Sequence, residues 1–262
     1  MTKRVAVLSM SALALSSLLL TGCGSDLFAD TFEDERTETG PVSEIQVTGG
    51  SGELVVERSA TASVVTIERK VRYHDDRPED RYDELDGSVL QLNADCGDDC
   101  SIDYRITVPD EVDVVGQLGS GDFRLSDIAS AEVVTGSGDI SISGVAAGVV
   151  AEAGSGEVTI DDASGPVEAK TGSGDIRIEE AVGAVNAEAG SGDTTISLAM
   201  PQDVVAETSS GDLSVAVPAG TAYQVDTSVS SGDEDVAIAT DPAGQHRLDL
   251  TTSSGDLSVT ES

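Results

Sequence analysis

The sequence predicts an all-β fold: a single-stack β-solenoid (β-helix-like) with about 18 residues per coil, preceded by a less regular β N-terminal part. Three observations predict it. The tripeptide Ser-Gly-acid occurs nine times, once alone at Ser51-Gly52-Glu53 and then in series, with its acid at Asp122, Asp139, Glu157, Asp175, Asp193, Asp212, Asp233 and Asp256. The serial acids are 17, 18, 18, 18, 19, 21 and 23 residues apart. Three residues after each stands an aliphatic residue: Leu125, Ile142, Ile160, Ile178, Ile196, Val215, Val236 and Val259. A second apolar set follows in the central units, Val149-Ala151-Ala153, Val167-Ala169-Thr171 and Val185-Ala187-Ala189. Both sets alternate with polar residues, the period of a half-buried strand. Each unit therefore reads strand, turn, strand, turn, and equivalent strands of successive units pair in register, as in other repeat architectures.

The elements follow in chain order. Residues 1–22 read as a signal peptide: Lys3 and Arg4 precede an uncharged stretch from Val5 to Leu20, the length of a signal core and short for a spanning helix. It ends in Leu20-Thr21-Gly22-Cys23, which resembles a bacterial lipobox. The resemblance implies cleavage before Cys23 and lipidation of its thiol, with acyl chains such as palmitate. Stable anchoring takes more than one chain, so the protein is expected on the outer side of the cell membrane. Residues 23–44 are rich in Asp and Glu and read as an acidic tether, because like charges extend a linker.

Residues 45–115 read as an irregular β N-terminal cap or start of the solenoid. Ile45 to Val56, Val64 to Val71, Val89 to Asn93 and Ile102 to Val108 have strand character, and residues 74–84 form a polar loop. The lone Ser51-Gly52-Glu53 marks this part as a wider start of the same coil. Cys96 and Cys100 flank Gly-Asp-Asp, a spacing suited to a turn, and export makes a structural disulfide the expected state. A zinc site would need two more ligands, and the two histidines, His74 and His246, are far away in sequence.

Residues 116–262 are the regular repeat. Gly-Ser-Gly-Asp suits a sharp corner, because glycine takes φ > 0 and an Asp carboxylate accepts from nearby backbone N–H groups. Pro218, Asp241-Pro242 and Gly244 place loop insertions in the longer, later units. Gly-Ser-Gly-Asp followed by aliphatic-x-aliphatic every 18 or so residues, with Val108-Pro109-Asp110 just before, resembles the putative-adhesin family of bacterial exported proteins. The resemblance covers roughly residues 43–260. It implies a β-solenoid and an adhesive role.

Composition narrows the function. There are 49 acidic and 14 basic residues, a net charge of −35, and no Trp. Removing residues 1–22 leaves 12 basic residues and a net −37. Such a chain is not drawn to nucleic acid, which needs Lys and Arg to displace counterions. From Leu125 onward the only basic residues are Lys170, Arg177 and Arg247, too few to grip an anionic polysaccharide as some β-helical enzymes do. No catalytic constellation stands out, and Asp161-Asp162 and Glu179-Glu180 carry no specificity. The protein is expected to be non-enzymatic and without a cofactor.

In register, the corner acids form a ladder. Two charges about 5 Å apart in water repel by roughly 0.8 kcal/mol. Calcium could offset this at Asp139, Glu157, Asp175, Asp193 and Asp212, although the Gly-Gly-x-Gly-x-Asp nonapeptide is absent. The alternative is that the acids cap the corners and splay into solvent. Arg58, Arg69, Lys70, Arg72, Arg77 and Arg81 cluster in sequence, either as a docking patch or as a strand face balanced by Glu68, Asp75, Asp76, Glu79 and Asp80. Tyr73, Tyr82 and Tyr104 are expected to pack. The expected partners are the membrane, through the lipid, and an extracytoplasmic protein or wall polymer. High net charge opposes end-to-end stacking, so a monomer is expected.

Overall fold

The computed structural model describes residues 29–74, 77–78 and 82–262. Residues 1–22, expected as a signal peptide, and Cys23, the expected lipidation site, lie outside the described residues. The chain is an all-β stack of two long sheets, both dominated by parallel pairing.

In the body, each coil contributes one strand to each sheet. The first sheet takes β9 (Phe123–Ile128), β11 (Ile140–Val145), β13 (Val158–Ala163), β15 (Ile176–Ala181), β17 (Thr194–Leu198) and β19 (Leu213–Val217). The second takes β8 (Asp113–Leu118), β10 (Ser130–Thr135), β12 (Val149–Ser155), β14 (Val167–Ser173), β16 (Val185–Ser191) and β18 (Val204–Ser210). Registers are continuous: Ile142, Ile160, Ile178 and Ile196 lie side by side in one sheet, and Ala151, Ala169, Ala187 and Ala206 in the other. All eight are essentially inaccessible. Large side chains on one wall therefore meet small ones on the other, and the coils are thin. At the start of the run the contrast is sharpest. Phe123 fills the space left by Gly116, where a Cβ would stand 3.0 Å from the ring.

The N-terminal part contains β2 (Glu44–Thr48), β3 (Leu54–Arg58), β6 (Val89–Asn93) and β7 (Cys100–Val108). Two of its coils continue the stack, but out of sequence order. The coil β2–β3 pairs on one side with β8–β9 and on the other with β6–β7. Gly52 stacks directly beneath Gly121, so the lone Ser51-Gly52-Glu53 is a true corner of the solenoid. Beyond β6–β7 the pairing turns antiparallel, with β4 (Val65–Tyr73) on β7 and β5 (Asp83–Asp86) on β6.

Two expectations change. The stretch 23–44 is not a tether throughout: β1 (Asp30–Glu38) pairs antiparallel with β4 along nine residues. The reason is charge, since acidic β1 meets Arg69 and Lys70. At the other end, β20 (Gln224–Val229), β21 (Glu234–Val236), β22 (Arg247–Thr252) and β23 (Leu257–Glu261) do not stack in chain order. The final coil, β22–β23, inserts between β18–β19 and β20–β21. The more apolar coil takes the covered place: Leu248, Leu250, Leu257 and Val259 are buried, whereas no residue of β20 is. Burying such a side chain contributes roughly 1.5–3 kcal/mol, which outweighs the longer crossover.

Candidate functional site

The repeated corner forms a hydrogen-bonded ladder along the stack. Each Asp carboxylate accepts from the backbone N–H of the acid on the next coil. Asp122 accepts from Asp139 (3.0 Å), Asp139 from Glu157 (3.0 Å), Asp175 from Asp193 (2.9 Å) and Asp193 from Asp212 (2.9 Å). The inserted last coil keeps the pattern: Asp212 accepts from Asp256 (2.8 Å) and Asp256 from Asp233 (2.9 Å). The change from Gly-Ser-Gly to Ser-Ser-Gly in these units thus leaves the corner intact. The ladder even reaches the N-terminal part, where Asp103 accepts from Glu53 N–H at 3.1 Å.

The ladder breaks where the acid is Glu. Among the described residues, neither Glu53 nor Glu157 accepts from the next acid's N–H. Glu157 turns to the Thr159 hydroxyl at 3.1 Å, and Glu53 pairs with Arg124. One extra methylene moves the carboxylate past the peptide it would cap. Below the corner, buried Thr135, Thr171, Thr208 and Thr252 donate to the carbonyls of Gly121, Gly156, Gly192 and Gly211. The second Gly of each motif is required by proximity: a Cβ at Gly174 would stand 2.1 Å from the Gly156 carbonyl oxygen.

For Asp139, Asp175, Asp193 and Asp212, one of the two carboxylate oxygens is therefore committed to the backbone. Together with Glu157 they were the calcium candidates. Among the described residues no group of three or more His, Cys, Asp or Glu side chains is placed to hold a metal ion. The opposite corner carries non-glycine residues in the left-handed region. Asp127, Asp162 and Glu180 adopt φ of 53–55°, at the place where Gly144 has φ 65°. Their alignment with Gly144 was the available signal.

The N-terminal end concentrates charge of both signs. Lys70 pairs with Glu33 (3.1 Å), Arg69 with Asp34, Arg72 with Asp103 (3.0 Å) and Arg58 with Glu111 (3.1 Å). Arg77 lies 3.9 Å above the Phe32 ring. Two of these four pairs are supplied by β1. Glu68 faces Glu35 across the strands, and Asp75, Asp76, Glu79, Asp80 and Arg81 lie outside the described residues. Glu33, Asp34, Arg69, Lys70, Arg72 and Asp103 border an open groove of about 520 Å³. The Asp34 carboxylate raises the Arg69 guanidinium further above its ordinary range. Tyr104 is buried and donates to the carbonyls of Tyr82 (2.9 Å) and Asn93 (3.2 Å), and burial pushes its hydroxyl pKa well up. Tyr73 packs edge-on to Phe32 at 6.0 Å. The three tyrosines are packing residues at this end.

Cys96 and Cys100 are joined by a disulfide, Cα atoms 5.5 Å apart, just where β7 begins. His74 follows β4, and His246 precedes β22 at the other end of the stack. His246 Nδ1 is 3.7 Å from Asp203. The two histidines share no site.

These features define a class: a two-walled parallel β-solenoid with capped corners. The chain belongs to the Toastrack DUF4097 family, whose profile matches residues 100–260. Among solved structures, it resembles one from Bacteroides fragilis named a putative adhesin. That likeness has a TM-score of 0.52 at 13% identity and covers 88% of this chain and 97% of the other. A Clostridium sporogenes structure named a putative cell adhesion protein is 11% identical, with a TM-score of 0.35, over 89% of this chain and 100% of that one. No curated protein matches the sequence.

Proposed function

We propose that this is a non-catalytic surface-binding protein, held on the outer face of the cell membrane by lipid on Cys23, that presents its solenoid to a wall polymer or an extracytoplasmic protein. One observation carries the reading. Both outer faces are long, regular and shallow, and suited to many weak contacts in parallel more than to one deep pocket. On the outer face of the first sheet Ser141, Thr159, Arg177, Thr195, Ser214 and Ser258 stand in one line along the stack. The signal and lipobox-like sequence support the location, and the adhesin name of the Bacteroides relative supports the role.

A second reading is an accessory subunit docked on one membrane protein. The exposed Val115, Val150 and Val205 on the outer face of the second sheet favour it. Cross-linking on intact cells with tagged full-length protein tests both. Capture of wall polymer or many unrelated surface proteins is expected for the adhesive role, whereas one dominant membrane protein would replace it with the accessory role. A Cys23→Ser variant released from the membrane fraction is expected from lipid anchoring; retention would overturn it.

A further inference from the structure

Strand β1 is an edge strand held by one backbone ladder, one aromatic side chain and three ion pairs. Phe32 is its single large apolar side chain, and none of its nine residues is fully buried. Beside its backbone ladder to β4, which an identical strand would replace bond for bond, the side-chain hold is ionic: Glu33 to Lys70, Asp34 to Arg69 and Arg36 to Asp83. Salt screens the exposed Glu33–Lys70 pair most, and the half-buried Asp34–Arg69 and Arg36–Asp83 pairs less. Glu35 sits directly opposite Glu68, and like charges at that position destabilise a strand pair. The edge beneath is differently held. Strand β4 pairs along its length with β7, through Thr66–Thr107 to Tyr73–Cys100, so it persists when β1 leaves. A vacated β4 would present an unpaired edge carrying Arg69, Lys70 and Arg72.

Such an edge accepts an acidic extended segment, and one segment fits it residue by residue: Asp30–Glu38 of a second copy. It would restore the same register and the same ion pairs. The connector to β2 is only residues 39–43, with Gly40-Pro41 at its centre, and short hinges of this kind favour exchange of a terminal element. We propose that β1 exchanges between copies, so that two chains form a strand-swapped dimer through their β4 edges, with the monomer as the closed form. This goes beyond the surface-binding reading and does not depend on the lipid.

The test uses protein carrying Cys23→Ser, which removes the anchoring thiol. A Glu35→Cys, Glu68→Cys double variant is expected to form an internal disulfide, confirming the register. Differently tagged Glu35→Cys and Glu68→Cys chains, mixed and gently oxidised, are expected to yield a covalent heterodimer, formed faster at higher ionic strength. The proposal is overturned if the double variant does not link. It is equally overturned if the double variant links internally while the mixed chains stay monomeric at every salt and protein concentration, or link only to copies of the same variant.

Discussion

The body of the solenoid and its N-terminal end solve the same problem differently. From β10 to β18 every strand lies between two near-copies of itself. Its apolar column, its corner carboxylate and its glycine each meet an equivalent group one coil away. At the N-terminal end β1, β4 and β5 meet unlike partners, through antiparallel pairing and ion pairs. Repetition makes the body intolerant of any atom added at a stacked position. The end depends on ion pairs and on antiparallel ladders between unlike strands.

The largest effect expected from this difference comes from one substitution made in both regions. Gly174→Ala places a Cβ 2.1 Å from the Gly156 carbonyl oxygen, at φ +148°. Overpacking and the unfavourable φ together cost about 3 kcal/mol. Gly87→Ala, next to β5 at φ +64°, meets nothing within 4 Å and costs only the backbone penalty, about 1 kcal/mol. Denaturant unfolding of the two variants measures the contrast, and equal losses would show that corner stacking does not dominate the body.

A pair of threonines sharpens it with opposite signs. Thr171 donates to the Gly156 carbonyl at 3.0 Å, so Thr171→Val is expected to lose about 1 kcal/mol. Thr194 is equally buried, and its hydroxyl has no hydrogen-bond partner. Thr194→Val removes that unpaired group at nearly constant shape and is expected to gain about 1 kcal/mol. Unfolding midpoints that move in the same direction would refute the assignment. At the N-terminal end, the raised Tyr104 pKa makes a pH prediction. Its contribution is full below the ordinary tyrosine range, near 10, and is lost as pH rises through the higher folded-state value. Alkaline unfolding is expected to become less steep in Tyr104→Phe.

How much of this was legible in the sequence follows the same division. The body could be read because each coil repeats the constraint: the spacing of Asp139, Glu157 and Asp175 fixed the register, and Ile160 and Ile178 fixed the buried face. The ends could not be read that way. The insertion of β22–β23 ahead of β20–β21 depends on which coil is more apolar, a comparison across 44 residues between Asp212 and Asp256 that local spacing does not contain. Strand β1 looked like a tether because its charges suit water equally well. Only the position of β4 shows that Asp34 has Arg69 opposite it. Of the candidate site, the corner carboxylates were visible, but their use as caps on the next coil depends on side-chain reach.

That reach supplies the finest test. Glu157 interrupts the ladder because its carboxylate lies one methylene too far out, leaving Asp175 N–H without the bond that Asp193 and Asp212 make. Glu157→Asp is expected to complete the ladder and add roughly 0.5 kcal/mol, the low end for a solvent-accessible hydrogen bond. The reverse change, Asp193→Glu, removes the bond from Asp212 N–H and should cost a similar amount. Both variants keep the charge, so repulsion along the ladder is nearly unchanged and the two shifts report reach alone. Hydrogen exchange at the Asp175 and Asp212 amides gives the site-specific readout. Slower exchange at Asp175 in the first variant and faster exchange at Asp212 in the second are expected. If neither amide responds, the carboxylates are held at the corners by coil geometry, and the capping bonds are its consequence.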